Sequence, residues 1–271
     1  MKTLKLVIAA VIAGSFFFAS CEQTDNELTK ANDESVQSIL NITDLSNTED
    51  LEEATSDDGT KAETAFPGCF DLIINDDTTV WRSWTLDFGT DGCESFNGIL
   101  RQGKINITLT DRWFNEGSLR TISFEDFYVD SVHLEGVKTI ENTGLNEAGN
   151  MTWTRKMTDG KLTYLDGSSI TWNCERYSER VEGGDTWVFS DDVYLVTGGS
   201  NGLNQEGLAF TTEITVPLKY VFGCRFPVSG ELTINIEGSE PVVINYGDGE
   251  CDNLATQTTG DETVEIELGN R

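Results

Sequence analysis

From residue 66 onward, apolar and polar residues alternate in short runs that are separated by Gly, Asn and Asp. β-Branched and aromatic residues fill many of the apolar positions, and no segment keeps the period of a helix. The pattern predicts strands over Asp71 to Asn75, Val80 to Phe88, Gly103 to Asp111, Leu119 to Phe127, Tyr128 to Glu135, Val193 to Thr197, Ala209 to Leu218, Glu231 to Ile236, Pro241 to Tyr246 and Thr263 to Leu268. This spacing predicts an all-β domain over residues 66–271, an antiparallel meander or β-sandwich. The sandwich is favoured over a closed sheet or an extended meander.

The clearest hairpin signal is the pair Asp159-Gly160, which favours a two-residue type I′ turn. Such a turn sets Met157 opposite Leu162. The apolar face of this hairpin then consists of Met151, Trp153, Met157, Leu162 and Tyr164. A following strand adds Ile170, Trp172 and Cys174 to that face, provided that Gly167 is left-handed in a three-residue loop over residues 165–167.

Residues 1–20 have the pattern of a lipoprotein signal peptide. Lys2 and Lys5 precede an apolar run from Leu6 to Phe18, and the small residues Ala19 and Ser20 lead to Cys21. The run is too short to span a bilayer core of ~30 Å as a helix. The segment resembles a lipobox, which implies that Cys21 is diacylated and becomes the anchored N-terminus of the mature chain. The alternative is an ordinary secreted protein with Cys21 in a disulfide.

Residues 21–65 are rich in Asp, Glu, Ser, Thr and Asn and contain few large apolar residues. Such a composition predicts an acidic disordered tether, since it cannot bury enough surface to offset its ordering entropy. Within it, Val36, Ile39 and Leu40 would suit a short amphipathic helix. Its acidic start, Glu22 to Glu27, resembles the export signal of outer-membrane lipoproteins that face the cell exterior; the alternative is a generic linker.

The chain carries 18 Lys and Arg against 47 Asp and Glu, a formal net charge of −29. This charge excludes nucleic acid as a partner, because nucleic-acid binding needs a basic surface. His133, the one histidine, lies in an alternating run and is expected to be a partly exposed strand residue. No catalytic, metal or phosphate-binding motif is present, so we expect no cofactor and no metal, and we favour a non-enzymatic protein.

Two distant segments, 68–94 and 223–252, resemble each other. Each opens with Gly-Cys and continues to an aromatic-Gly turn, a further glycine and a Cys-acid pair. In an exported chain this duplication predicts two disulfides, Cys69 to Cys93 and Cys224 to Cys251, although cross-pairings stay open. Cys174 is then expected to be a buried thiol. The acidic turns would suit calcium, but they lack the ligand spacing of a calcium loop, and turn chemistry alone explains them.

Six tryptophans fall between residues 81 and 187. Trp153 and Trp172 lie on the predicted apolar face and are assigned to the core, and one of Trp81 and Trp84 should point outward. Trp113 and Trp187 lie near turns and are the candidate ligand-binding residues, because exposed indoles suit sugar rings. These residues favour a binding or structural role with a glycan or protein partner. The alternative is a polysaccharide hydrolase that uses a carboxylate pair.

The run Asn97 to Ile105, the segment Thr110 to Trp113 and the segment Tyr246 to Asn253 resemble a family of surface lipoproteins from Bacteroidota. The likeness covers most of residues 66–271, and the family has no assigned activity. It therefore implies a compartment and a β architecture but no catalytic residue. Leu86 to Gly92 and Ile244 to Gly249 are also similar to the motif of PKD-type immunoglobulin-like modules, without its tryptophan, which implies a sandwich.

Overall fold

The computed structural model describes residues 34–43, 70–75, 79–94, 99–185 and 191–269. Cys21, Cys69, Trp187 and the predicted signal peptide lie outside the described residues. Within them the chain forms one helix, α1 (34–43), and fourteen strands. The strands are β1 (Asp71–Asn75), β2 (Arg82–Asp87), β3 (Cys93–Glu94), β4 (Leu100–Leu109), β5 (Leu119–Val129), β6 (Val132–Leu145), β7 (Met151–Thr163), β8 (Ser169–Glu182), β9 (Val193–Leu203), β10 (Ala209–Val221), β11 (Ser229–Ile236), β12 (Val242–Asp248), β13 (Leu254–Thr259) and β14 (Glu262–Glu267). The all-β prediction is confirmed.

All fourteen strands belong to one antiparallel sheet. Its order is β1-β2-β4-β5 and then every strand in sequence to β14, with the short β3 paired to β4. Each strand therefore lies beside its neighbour in the chain, as in a meander. β1 and β14 are the two edges, so the sheet is open, and its sandwich-like core is built by one sheet rather than by two separate ones.

One face of the sheet is buried along most strands, and on β2 Ser83 and Thr85 of the other face are buried as well. On β8, for example, Ile170, Trp172 and Cys174 are buried, whereas the alternate residues face solvent or are half-buried. Buried side chains from β2 through β12, with Ala255 and Leu268, join those of α1 in a single hydrophobic cluster. Repeated β-bulges, which bend and twist strands, interrupt the register of most central pairs. The buried face consequently curves around α1.

The Asp159-Gly160 hairpin prediction is wrong. β7 runs through both residues as one strand, and its register with β8 shifts between Met157 and Gly160. The pair is a bulge in which Asp159 has φ 51° and its N–H donates to Asn173 Oδ1 at 2.9 Å. A Cβ on Gly160 would lie 2.7 Å from the Trp172 ring, so side-chain packing requires this glycine. The predicted apolar face survives, because the bulge restores the inward orientation of Leu162.

The turns at the two ends of β7 join it to β6 and to β8; in the β6–β7 turn the Gly149 N–H donates to Asn146 O at 2.9 Å. The β7–β8 turn closes with the Gly167 N–H donating to Tyr164 O at 3.0 Å, and Gly167 has the predicted positive φ, 87°. The predicted boundary between Phe127 and Tyr128 is wrong. β5 and β6 instead turn at Asp130 and Ser131, with φ values of 48° and 71°, as in a type I′ turn.

Helix α1 corrects the tether prediction for residues 34–43. Its apolar residues Val36, Ile39, Leu40 and Ile42 are at most 2% exposed and belong to the core. Ser35 Oγ donates to Glu206 Oε2 at 2.6 Å and accepts from Asn204 Nδ2 at 3.1 Å, which ties the start of α1 to the β9–β10 turn. These ten residues are therefore part of the folded domain; residues 21–33 and 44–65 of the predicted tether lie outside the described residues.

Each duplicated cysteine segment contains a β-hairpin, β1–β2 in the first and β11–β12 in the second. Cys224 precedes β11 and Cys251 follows β12, and their disulfide, with Cα atoms 5.4 Å apart, joins the open ends of that hairpin. This pairing is confirmed. Cys93 is also disulfide-bonded, and its pairing with Cys69 stays a prediction because the partner lies outside the described residues. Cys174 is a buried free thiol, as expected.

The chain just after β2 and the last residues of β12 also share one geometry. Asp87 Oδ1 accepts the Gly89 N–H, and Asn245 Oδ1 accepts the Gly247 N–H, each at 2.9 Å. Both glycines have positive φ. Side-chain turn bonds of this kind account for the Asp or Asn and Gly in both segments without a bound cation.

Candidate functional site

An exposed tyrosine lies near the middle of the outer face of the sheet. Tyr177 on β8 is 51% exposed. It pairs with the small side chains of Thr154 on β7 and Thr197 on β9, which leave its ring uncovered. Its hydroxyl donates to Glu175 Oε1 at 2.8 Å, and Lys156 Nζ lies 3.0 Å from the same oxygen. The ring is thus held by a hydroxyl contact while its surface stays open to solvent.

Charge and hydrogen bonding fix the groups around this ring. The bonds from Lys156 and then from Tyr177 lower the pKa of Glu175, and the bond to Glu175 raises the pKa of Tyr177. On the other side of the ring along β8, Glu179 Oε1 accepts from Asn150 Nδ2 at 2.7 Å and from Asn146 Nδ2 at 2.8 Å. These two amides lower the pKa of the Glu179 carboxyl. We call Thr154, Glu175, Tyr177, Glu179 and Thr197 the tyrosine surface.

The inner face of strands β5 to β8 carries buried cations, which a strongly acidic chain does not lead one to expect. Arg120, Lys138, Arg155 and Arg176 are all at most 5% exposed. In the part of the chain that the structure describes, Asp192 is the only carboxylate of comparable burial. Asp192 accepts from the Tyr194 hydroxyl at 2.9 Å and lies 3.8 Å from Arg180. A chain with a net charge of −29 therefore buries a cluster of cations.

Four adjacent inward positions on β7 and β8 all carry hydrogen-bond donors. Arg155 is the register partner of Arg176, and Trp153 is the register partner of Ser178. We call these four residues the donor patch. The indole Nε1 of Trp153, the Ser178 Oγ and the Nε and Nη1 of Arg176 are buried without hydrogen-bond partners. Arg176 Nη2 donates to Thr212 Oγ1 at 3.3 Å, and burial lowers the pKa of Arg176.

The structure places the predicted tryptophans as follows. Trp153 and Trp172 are buried, which confirms their assignment to the core. Trp84 is buried and Trp81 is 38% exposed, which confirms that one of these two residues points outward. Trp113, a candidate ligand-binding residue, is half-buried and stacks on Trp153 with ring centroids 6.1 Å apart. The guanidinium of Arg120 lies 4.1 Å from the Trp113 ring centroid. Trp113 therefore contributes to packing at the end of the sheet and does not stand free on the surface.

His133 is a partly exposed strand residue, as predicted. Its ring stacks on Tyr128 at a centroid distance of 4.5 Å, and Nδ1 lies 3.7 Å from Glu135 Oε2. Among the described residues, His, Cys, Asp and Glu form no cluster of three or more that could hold a metal ion. No helix within the described ranges has the length and hydropathy needed to cross a membrane. No observation on these residues favours the hydrolase alternative.

The comparisons with protein-family models, with curated proteins and with solved structures find no match to this chain. The function is therefore inferred from the geometry of the tyrosine surface and the donor patch. Sequence reasoning missed both sites, yet strand parity contains the signal. Tyr177 has the opposite parity to Trp172 and Cys174, which places an aromatic side chain outside. Arg176 has the same parity as those residues, which places a charge inside.

Proposed function

We propose that this protein is a lipid-anchored lipoprotein of the outer membrane that faces the cell exterior and binds a polysaccharide without cleaving it. The observation that carries the binding role is the exposed ring of Tyr177 between two fixed carboxylates. A rigid aromatic face can stack on the apolar face of a sugar ring, and the surrounding carboxylates and threonine hydroxyls can bond its hydroxyl groups. The lipobox-like segment ending at Cys21 supports the anchor.

Charge narrows the class of ligand. The chain has a net charge of −29, and the tyrosine surface itself contains Glu175 and Glu179. Such a surface repels polyanions. The proposed ligand is therefore an uncharged polysaccharide rather than an acidic one, and no nucleic acid is expected to bind.

The test is to measure affinity for a panel of uncharged polysaccharides by affinity electrophoresis and isothermal titration calorimetry. Tyr177→Ala should weaken binding at least about fivefold, because truncating a central aromatic contact costs more than about 1 kcal/mol. Tyr177→Phe should keep most of the affinity, since the ring remains. Leu165→Ala removes an exposed apolar side chain (86% exposed) on the β7–β8 turn and is the matched control.

Two outcomes would overturn the proposed binding surface. One is wild-type protein that binds none of the uncharged polysaccharides. The other is a Tyr177→Ala variant that binds as tightly as wild type and Leu165→Ala. A polysaccharide that is shortened during the incubation would instead support a hydrolase.

A further inference from the structure

We propose that the donor patch on the inner face of β7 and β8 binds a tetrahedral oxyanion, inorganic phosphate or sulfate. The site is distinct from the tyrosine surface, because the two lie on opposite faces of the sheet. Its function would be to neutralise the buried Arg176 and so to couple the folded state to a small anion.

The donor patch contains buried hydrogen-bond donors that have no acceptor. Trp153 Nε1–H, the Ser178 hydroxyl and the Nε–H and Nη1–H groups of Arg176 are buried donors without hydrogen-bond partners. An indole and a guanidinium can only donate. Buried polar groups in native proteins are almost always hydrogen-bonded, so a set of adjacent donors without partners indicates an acceptor that binds there.

The donor patch also contains a buried positive charge, that of Arg176. Arg176 is 0% exposed, and within the described ranges no carboxylate forms an ion pair with it. Its register partner across β7–β8 is another buried cation, Arg155. Like charges directly opposite each other on adjacent strands destabilise a sheet, and buried charges normally have a partner of opposite sign. An anion beside Arg176 would supply the partner of opposite sign that Arg176 lacks.

The residues of β9 and β10 beside Arg176 are small or carry hydroxyl groups. The β9 residue that pairs with Arg176 is Gly198, so no β9 side chain lies directly opposite Arg176. Its φ is 113°, and a Cβ there would lie 2.2 Å from Glu175 O, so the glycine is fixed by the backbone. Thr212 and Ser200, whose hydroxyl oxygens are 2.7 Å apart, lie next to Arg176 and add further donor capacity. A guanidinium beside hydroxyl groups suits a tetrahedral oxyanion, since guanidinium groups bind phosphate and sulfate by paired hydrogen bonds.

The test is a titration of the full chain, purified in phosphate- and sulfate-free buffer, with phosphate or sulfate at constant ionic strength set by chloride. Thermal unfolding reports binding, because a ligand that binds only the folded state raises the unfolding midpoint as its concentration rises. The midpoint of wild type should rise saturably with phosphate or sulfate and should not respond to chloride alone. Phosphorus NMR of the wild type should show a bound phosphate signal.

Three variants locate the site. Arg176→Met keeps the length of the side chain but removes the charge, and its midpoint should not depend on phosphate. Ser178→Ala removes one hydroxyl group and should weaken the apparent affinity about tenfold, the loss expected for one hydrogen bond to a charged group. Ser83→Ala, at a buried serine on β2, is the matched control and should respond like wild type.

The proposal is overturned if the unfolding midpoint of wild type is the same in phosphate or sulfate as in chloride alone. It is also overturned if Arg176→Met keeps the wild-type response, or if Ser178→Ala and Ser83→Ala respond equally. Should Arg176→Met fail to fold, the comparison between Ser178→Ala and Ser83→Ala decides the outcome. If the unfolding midpoint of Ser178→Ala rises less with phosphate than that of Ser83→Ala, the site is supported. This result does not depend on whether the protein binds a polysaccharide.

Discussion

Arg176 and Tyr177 are consecutive residues of β8 with opposite roles. The Arg176 side chain is 0% exposed among the inner residues, whereas the Tyr177 ring is 51% exposed on the outer face. Each buried donor left without a partner costs about 1–3 kcal/mol, and a charged one costs more. The donor patch therefore lowers the stability of the chain without an anion, while the tyrosine surface leaves stability almost unchanged. Both are signs of function rather than of packing.

Asn142 illustrates a buried polar residue whose side-chain oxygen and nitrogen both form hydrogen bonds. It is 0% exposed, its Nδ2 donates to Trp113 O at 3.0 Å, and its Oδ1 accepts the Gly144 N–H at 2.8 Å. Asn142→Ala should destabilise the protein by about 1–3 kcal/mol, because two buried backbone groups lose their partner. Urea unfolding measures the difference. Asn201→Ala, at an exposed position on β9, is the control, and equal effects of the two changes would contradict this account.

The Glu175 carboxylate gives a prediction about pH. Its pKa is lowered by the bonds from Lys156 and Tyr177. A carboxyl with a lowered folded-state pKa contributes stability that is present above its ordinary pKa and is lost as the pH falls through the folded-state value. Glu175→Gln should therefore flatten the loss of stability on acidification below about pH 4.5. The effect will be small, since the group is exposed.

The measurement is the urea unfolding midpoint of wild type and variant across a series of acidic pH values. Glu213→Gln on the exposed face of β10 serves as the control. An acid dependence of Glu175→Gln that matches wild type, with no difference from the control, would show that the Lys156–Glu175–Tyr177 contacts do not persist in solution.

Among the elements, α1 is the helix whose apolar residues join the core formed by the strands. A sheet with one apolar face must cover that face, and here the helix lies against the curved inner side. Full burial of an aliphatic side chain contributes about 1.5–3 kcal/mol. The helix therefore contributes to the core as much as a central strand does, although its ten residues are separated in sequence from the first strand.

Ile39 tests this role of the helix. The side chain is 0% exposed, so Ile39→Ala should destabilise the whole domain by about 2–5 kcal/mol, the usual cost of such a cavity in a core. The measurement is chemical unfolding followed by the near-ultraviolet signal of the tryptophans on the strands. Ile73→Ala on the edge strand β1, where the side chain is 44% exposed, is the matched control. If Ile39→Ala costs no more than Ile73→Ala, α1 is not part of the core.

At the scale of the whole molecule, strand alternation predicted most of the fold, because a half-buried antiparallel strand must alternate. For α1, the helical spacing of Val36, Ile39 and Leu40 predicted the helix, but the acidic composition around these residues favoured disorder and hid the place of the helix in the core. Turn chemistry assigned Asp159-Gly160 to a hairpin turn, because a bulge and a type I′ turn use the same residue types. Only the packing of Gly160 against Trp172 distinguishes the two. Charge was expected outside, so Arg155 and Arg176 were missed despite their inward parity.

The central claim is that the protein displays a polysaccharide-binding surface from a lipid anchor at Cys21. Whole cells that express the full chain should retain a fluorescent uncharged polysaccharide, selected in the binding panel, as measured by flow cytometry. Cys21→Ala should remove the protein from the cells, and retention of polysaccharide should fall with it. Tyr177→Ala should remain on the cell surface by antibody labelling yet lose retention. The account is contradicted if Cys21→Ala stays membrane-bound, or if cells that display Tyr177→Ala retain as much polysaccharide as wild type.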